Sequence, residues 1–137
     1  MAKDLFHEAV KQALIKDGWT ITGDPLIIRI DRVKLEIDLA AEKVFAAEKD
    51  DQKIAVEVKS FINTSAITDF HNALGQFLNY RLALEMTEPE RILYLAVPID
   101  IFNTFFQERF TQAAISKYAL KIIAYKPDTE EIIAWTN

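Results

Sequence analysis

Glu57 and Lys59 stand two residues apart in a segment, Lys53 to Ser60, that reads Lys-Ile-Ala-Val-Glu-Val-Lys-Ser. Alternation with period two puts Ile54, Val56 and Val58 on one face of a strand and Ala55, Glu57 and Lys59 on the other. An apolar row then backs a carboxylate and an ammonium that share a side, with polar Ser60 directly after them. Glu-x-Lys at a strand end suits metal-assisted chemistry on a phosphodiester. The carboxylate binds Mg²⁺, the backbone oxygen of Val58 adds a ligand, and the Lys59 ammonium steadies a metal-bound water or the charge growing on the phosphate. The plain alternative is a half-exposed strand with an ordinary surface pair. The triplet is frequent in proteins, so its meaning depends on what else the chain brings to it.

A metal site of this kind needs a second acid. Val33 to Leu39 alternates cleanly, with Val33, Leu35, Ile37 and Leu39 on one side and Lys34, Glu36 and Asp38 on the other, which makes Asp38 a second carboxylate on a strand. Glu42 is the alternative first acid. Glu8 sits beside the apolar stripe of a leading helix, where it either reaches the working surface or is a solvated helix residue. Gln76 and Tyr80 are four apart on one helical face. An amide beside a phenol can hold a phosphate, a base edge or a metal-ligating carboxylate, or it is simply the edge of a core.

Composition bounds the chemistry. The chain has 137 residues, half of them apolar, with three Gly and four Pro, enough for one compact domain with a substantial core. It has no Cys and two isolated His, His7 and His71, which excludes thiolate sites and disulfides and leaves little for an imidazole cage. Any metal is therefore expected on oxygen ligands, and Mg²⁺ and Mn²⁺ fit equally. With 16 basic and 21 acidic residues the net charge is −5, which argues against a protein that mainly coats nucleic acid. It does not argue against a nuclease, because metal ions at a carboxylate cluster reverse the local sign. No apolar run approaches a membrane span and the start, Met-Ala-Lys-Asp, lacks the form of a secretory signal, so a cytoplasmic protein is expected.

The elements that must position these groups follow in order. Asp4 is the expected N-cap of a helix to about Asp17, with Leu5, Phe6, Ala9, Val10, Ala13 and Leu14 as its stripe and Gly18 as its stop. Trp19 to Thr22 is a short strand, Gly23-Asp24-Pro25 a turn, and Leu26 to Ile30 a strand that turns at Asp31-Arg32 into Val33 to Leu39. Ala40 to Lys49 favours helix by propensity. A hairpin is the better reading, with Val44 to Glu48 pairing Lys53 to Lys59 across a turn at residues 50–52. Phe45 then falls opposite Glu57, and Asp38 meets Glu57 only through a bend near Ala40 to Lys43. Ser65 caps a helix to about Met86 whose expected buried stripe is Ile67, Phe70, Leu74, Phe77, Leu78 and Leu82. Arg91 to Val97 reads as a strand buried on both faces. Pro98 opens a Phe-rich helix over Ile99 to about Phe110, a second helical stretch covers Gln112 to Leu120, and a hairpin pairs Lys121 to Tyr125 with Glu131 to Trp135.

The order helix, strands, hairpin, helix, strand, with an acid on one strand and Glu-x-Lys on the next, resembles the PD-(D/E)XK, or restriction-endonuclease-like, superfamily. That likeness covers roughly Asp4 to Val97: an α/β core with a central mixed sheet flanked by helices, followed by a C-terminal helix and β-hairpin over about residues 98–137. Asp38 matches the first acid, Glu57 and Lys59 the Glu-x-Lys, Glu8 an accessory acid on the leading helix, and Gln76 with Tyr80 the Gln-x-x-x-Tyr of RecB-like members. Two departures stand out: no Pro precedes Asp38, and Asp38 and Glu57 are 19 apart, longer than in compact resolvase-type members. At a finer level nearly the whole chain is similar to the XisH family, described as excision controlling factors for the fdxN element of cyanobacteria. The residues that carry it are the opening Ala-Lys-Asp with His7 and Ala9-Val10-Lys11, then Leu14 to Thr22, Asp24-Pro25-Leu26 and Ile37-Asp38-Leu39. Ala46 to Lys49, Lys53 to Phe61, Asn72 to Gln76 and Leu93 to Ala96 continue it.

That resemblance implies a role in removing a DNA element during cell differentiation, with an XisI-type partner and a site-specific recombinase. It supplies no reaction. The nuclease likeness implies metal-dependent phosphodiester hydrolysis, with Asp38 and Glu57 on Mg²⁺, Lys59 at the attacking water, and Glu8, Gln76, Tyr80 and Ser60 as accessory or orienting groups. A non-catalytic regulator on the same scaffold, binding DNA or a partner protein, is the rival, and a stability partner in a two-protein complex is the third. Self-association as a homo-oligomer stays open.

Overall fold

The computed structural model describes residues 4–45 and 50–136. Its eight strands are β1 (Thr20–Gly23), β2 (Leu26–Ile30), β3 (Val33–Ile37), β4 (Leu39–Phe45), β5 (Asp50–Val58), β6 (Ile92–Pro98), β7 (Ile122–Lys126) and β8 (Glu131–Trp135). Four α-helices accompany them: α1 (His7–Lys16), α2 (Ala66–Thr87), α3 (Ile99–Asn103) and α4 (Arg109–Lys117). Six strands form a mixed sheet in the order β1-β4-β5-β6-β7-β8, with β5, β6 and β7 parallel and the outer neighbours antiparallel. β2 and β3 form a separate antiparallel ribbon.

The alternation of β5 divides the core in two. Ile54, Val56 and Val58 join Val10 and Leu14 of α1, Leu39, Tyr94 and Tyr125 on one side of the sheet. Ala55 joins Phe70, Phe77, Tyr80 and Leu84 of α2, together with Ile28 and Ile37 of the ribbon, on the other. Helix α1 starts at His7, two residues later than the Asp4 cap implies. Asp4 Oδ1 still accepts from the Phe6 amide at 2.9 Å and so satisfies one of the free N–H groups before the first turn. Gly18 ends the helix at φ 96°, with the Trp19 amide returning to the Leu14 carbonyl.

Four expectations are corrected. The run Val33 to Leu39 is two strands, broken at Asp38, where the chain leaves the ribbon and enters the main sheet. The β4–β5 hairpin pairs Leu39 with Val56 and Phe45 with Asp50, so residues 50–52 lie in β5 rather than in a turn. Phe45 therefore stands opposite Asp50, not Glu57, and the part of the expected arm at 46–48 lies outside the described residues. The inward stripe of α2 is Phe70, Ala73, Phe77, Tyr80, Ala83 and Leu84, while Ile67 and Leu82 are exposed. Finally, the helix expected over Ile99 to Phe110 ends at Asn103. A 3₁₀ turn at Phe105–Gln107 and then α4 follow, because Thr104, at φ −116° and ψ −87°, is not helical. Phe106 is buried there in edge-on contact with Phe61 and Phe70, and Phe110 is exposed.

Candidate active site

Asp38 and Glu57 meet where the β4–β5 ladder stops. Beyond the Leu39–Val56 pair the next two residues face each other without strand hydrogen bonds, and their side chains supply the missing acceptors. Glu57 Oε1 accepts from the Asp38 amide at 3.3 Å, and Asp38 Oδ2 accepts from the Val58 amide at 2.8 Å. Each carboxylate thus ties down the strand that carries the other. Lys59, on the same face, places its Nζ 3.5 Å from Glu57 Oε2. The bend that unites the two acids falls at Asp38 itself, not at Ala40 to Lys43.

Glu57 is 4% exposed. Burial, then the charge of Asp38, push its carboxyl up to about 8, and the pull of Lys59 and of the Asp38 amide only partly offsets them. From α2, buried Tyr80 lies in the core on the same side of the sheet, near enough to feel the charge of both acids. Its own burial, with the charges of Glu57, Asp38 and Glu36, pushes the phenol up to about 12, so it is a hydrogen-bond donor at neutral pH. Because α2 runs back antiparallel to β5, Gln76 lies one turn toward the Lys59 end from Tyr80. Gln76 Oε1 is buried without a hydrogen-bond partner among the described residues.

The remaining candidates lie apart from this pair. Glu42, four residues along β4, stands opposite Lys53 and its Oε2 is 3.5 Å from buried Arg91 Nη2. Glu8 is exposed on α1, whose inward residues Val10 and Leu14 pack on the other side of the sheet, and it bonds Gln12 at 3.2 Å. The acid that the N-terminal segment brings to the Lys59 end is Asp4, whose Oδ2 accepts from the Ser60 amide at 3.0 Å. Asp4, Lys59, Ser60 and Asp69 line a polar recess of about 210 Å³. Asp4 and Glu36 were not among the sequence candidates. Glu36 had a signal, its place on the Asp38 face of an alternating run; for Asp4 the capping role masked the second contact.

A model of the XisH protein family matches residues 1–133. This chain belongs to the XisH family. Two crystal structures share its architecture: an XisH family protein from Nostoc punctiforme PCC 73102, 50% identical, and an fdxN element excision controlling factor protein from Anabaena variabilis, 51% identical. Each aligns with a TM-score of 0.88 over 98% of this chain and 100% of its own. No curated protein matches significantly. The described residues form an α/β fold with a mixed six-stranded sheet and four helices, matching these crystal structures. No described helix is long and apolar enough to cross a membrane.

Proposed function

We propose that this XisH chain is an excision controlling factor of the fdxN type, built on a restriction-endonuclease-like core, that cuts DNA phosphodiesters with a divalent ion. The observation that carries the reading is the corner itself: two acids, one at the break between β3 and β4 and one buried on β5, meet beside a lysine. Its donor set suits a hard cation. Burial and the Asp38 charge hold Glu57 in an electrostatic conflict that a divalent ion resolves, and every donor is oxygen. Asp38, Glu57 and the Val58 carbonyl would hold Mg²⁺ or Mn²⁺, which when bound supplies Lewis acidity at the phosphate.

The chain's own groups do the rest. Lys59, steered by Glu57, holds a nucleophilic water and stabilises negative charge on the phosphate. Tyr80, protonated at neutral pH, is a donor for the substrate, and Gln76 brings a buried oxygen without a partner among the described residues. In the cell, an XisI-type partner and a site-specific recombinase complete the programmed rearrangement, in the cytoplasm. Calorimetric titration of Mg²⁺ and Mn²⁺ into the wild type, Asp38→Asn and Glu57→Gln, with cleavage of linear and branched DNA, tests it. Metal binding should depend on both acids, and Lys59→Ala should keep the metal but lose about 10²-fold or more of the cleavage rate. A Lys59→Ala protein that cuts as well as wild type sinks the mechanism.

A second reading, a regulator that binds DNA or a partner without catalysis, has one observation in its favour. Among the described residues no group of three or more His, Asp or Glu side chains converges as a metal cage. Absence of both metal binding and cleavage, with DNA or partner binding retained, selects it.

A further inference from the structure

The β2–β3 ribbon is built to face outward with positive charge. Its inward row, Leu26, Ile28, Ile30, Leu35 and Ile37, packs on the α2 side of the core, which leaves Ile27, Arg29, Lys34 and Glu36 on the outer face and Asp31-Arg32 at the tip. Arg29, Arg32 and Lys34 are all exposed. The ribbon, residues 26–37, carries three basic and two acidic side chains, in a chain with 16 basic and 21 acidic. Arg29 stands directly across from Lys34. Like charges in that relation destabilise a hairpin, so the pair works against the fold unless something negative lies over it. Lys34 relieves part of this by reaching Glu36, 3.3 Å away. The side chains of Arg29 and Arg32 make no hydrogen bond or ion pair among the described residues.

The ribbon also ends at the right place. Ile37 is its last residue and Asp38 follows, so Lys34 lies about 13 Å of strand from the acid pair, the length of about four base pairs. Two strands about 5 Å apart with their side chains make a ridge that a major groove accepts. We infer that the outer face of the β2–β3 ribbon, through Arg29, Arg32 and Lys34, is a duplex-DNA contact that registers the helix against the Asp38–Glu57 corner. This rests on the reading of DNA as the ligand and adds the element that holds it.

The test is fluorescence anisotropy of a fluorescein-labelled DNA duplex against the full chain over a series of salt concentrations. Arg29→Gln with Arg32→Gln should bind at least about ten-fold more weakly, with the slope of log K against log salt flattened by about two. Lys34→Gln alone, which leaves both arginines, should flatten it by about one. Unchanged circular dichroism and thermal unfolding show that the folds match. Variants with wild-type affinity and slope overturn the inference while leaving DNA as the ligand, and loss of a copurifying acidic protein in those same variants makes the ribbon a protein-docking face instead. A wild type that binds no DNA overturns both readings. A wild type that binds the duplex without cutting it, through a ribbon whose loss abolishes binding, supports the inference and moves the corner to the regulator reading.

Discussion

The Tyr125 hydroxyl donates to the Lys59 carbonyl oxygen at 3.2 Å, joining β7 to the end of β5 two strands away. The ring is fully buried, and burial with the nearby Asp4 charge pushes the phenol well above its ordinary range, so it stays a donor. On the other side Asp4 takes the Ser60 amide, and the Lys59 amide donates to the Ala96 carbonyl. The lysine's side chain is free to work because its backbone is held at successive groups. Tyr125→Phe should therefore cost about 1 kcal/mol in urea unfolding. In a cleaving protein it should lower the rate more than the affinity for Mg²⁺.

Glu57 makes the fold sensitive to alkali. Its folded-state carboxyl titrates near 8 against an ordinary 4.5, so the folded chain keeps a proton that the unfolded chain has released. Stability of the metal-free protein should fall as pH rises from about 4.5 to about 8, by on the order of a few kcal/mol. Urea unfolding at pH 5 and pH 8 measures it. Glu57→Gln should remove the slope.

Asp24 acts in the opposite direction. Burial works against its charge, but hydrogen bonds from Lys11 at 2.9 Å and His7 at 2.7 Å outweigh it and hold the carboxyl below its ordinary 3.8. Its contribution is present above that value and is lost as pH falls through the depressed one. Asp24→Asn should cost about 1–3 kcal/mol at pH 7, because one acceptor oxygen and the charge that Lys11 and buried His7 share are lost, and should flatten the acid limb of the stability profile, because the titrating carboxyl is gone.

Arg91 is a buried charge just before β6. At 8% exposure it donates to the Ile54 carbonyl at 3.0 Å and meets Glu88 at 3.1 Å and Glu42 at 3.5 Å. Arg91→Ala strands both acids and a strand carbonyl, and should cost about 3–5 kcal/mol, while Glu42→Gln should cost far less and leave metal binding intact. Equal loss of metal binding in Glu42→Gln would return Glu42 to the active site.

Much of this was legible from alternation and caps. Lys53 to Val58, the α2 helix after Ser65, the Arg91 to Val97 strand and the final hairpin follow from local pattern. The corner at Asp38 did not, for a physical reason. Val33, Leu35, Ile37 and Leu39 form one apolar row in sequence, yet Ile37 enters the core under α2 and Leu39 the core under α1. Both cores are apolar, so a change of sheet leaves no mark on the pattern. The true hairpin register was hidden by Asp50-Asp51-Gln52, which looks like a turn by composition but is the start of β5. Tyr125 and Asp4 at Lys59 are long-range contacts with no local signature at all.

The break at Asp38 separates the two sheets mechanically as well. Register in the main sheet is set by β4 against β1 and β5, whereas among the described residues β2 and β3 pair with each other alone. The ribbon can therefore be lengthened by two residues on each strand, or have its outer face rewritten, without shifting Asp38 relative to Glu57. It is a separately paired module, held to the rest by Ile28 and Ile37 packed against α2. An engineer can therefore graft a new outer face there, and with it a new DNA contact, without rebuilding the site.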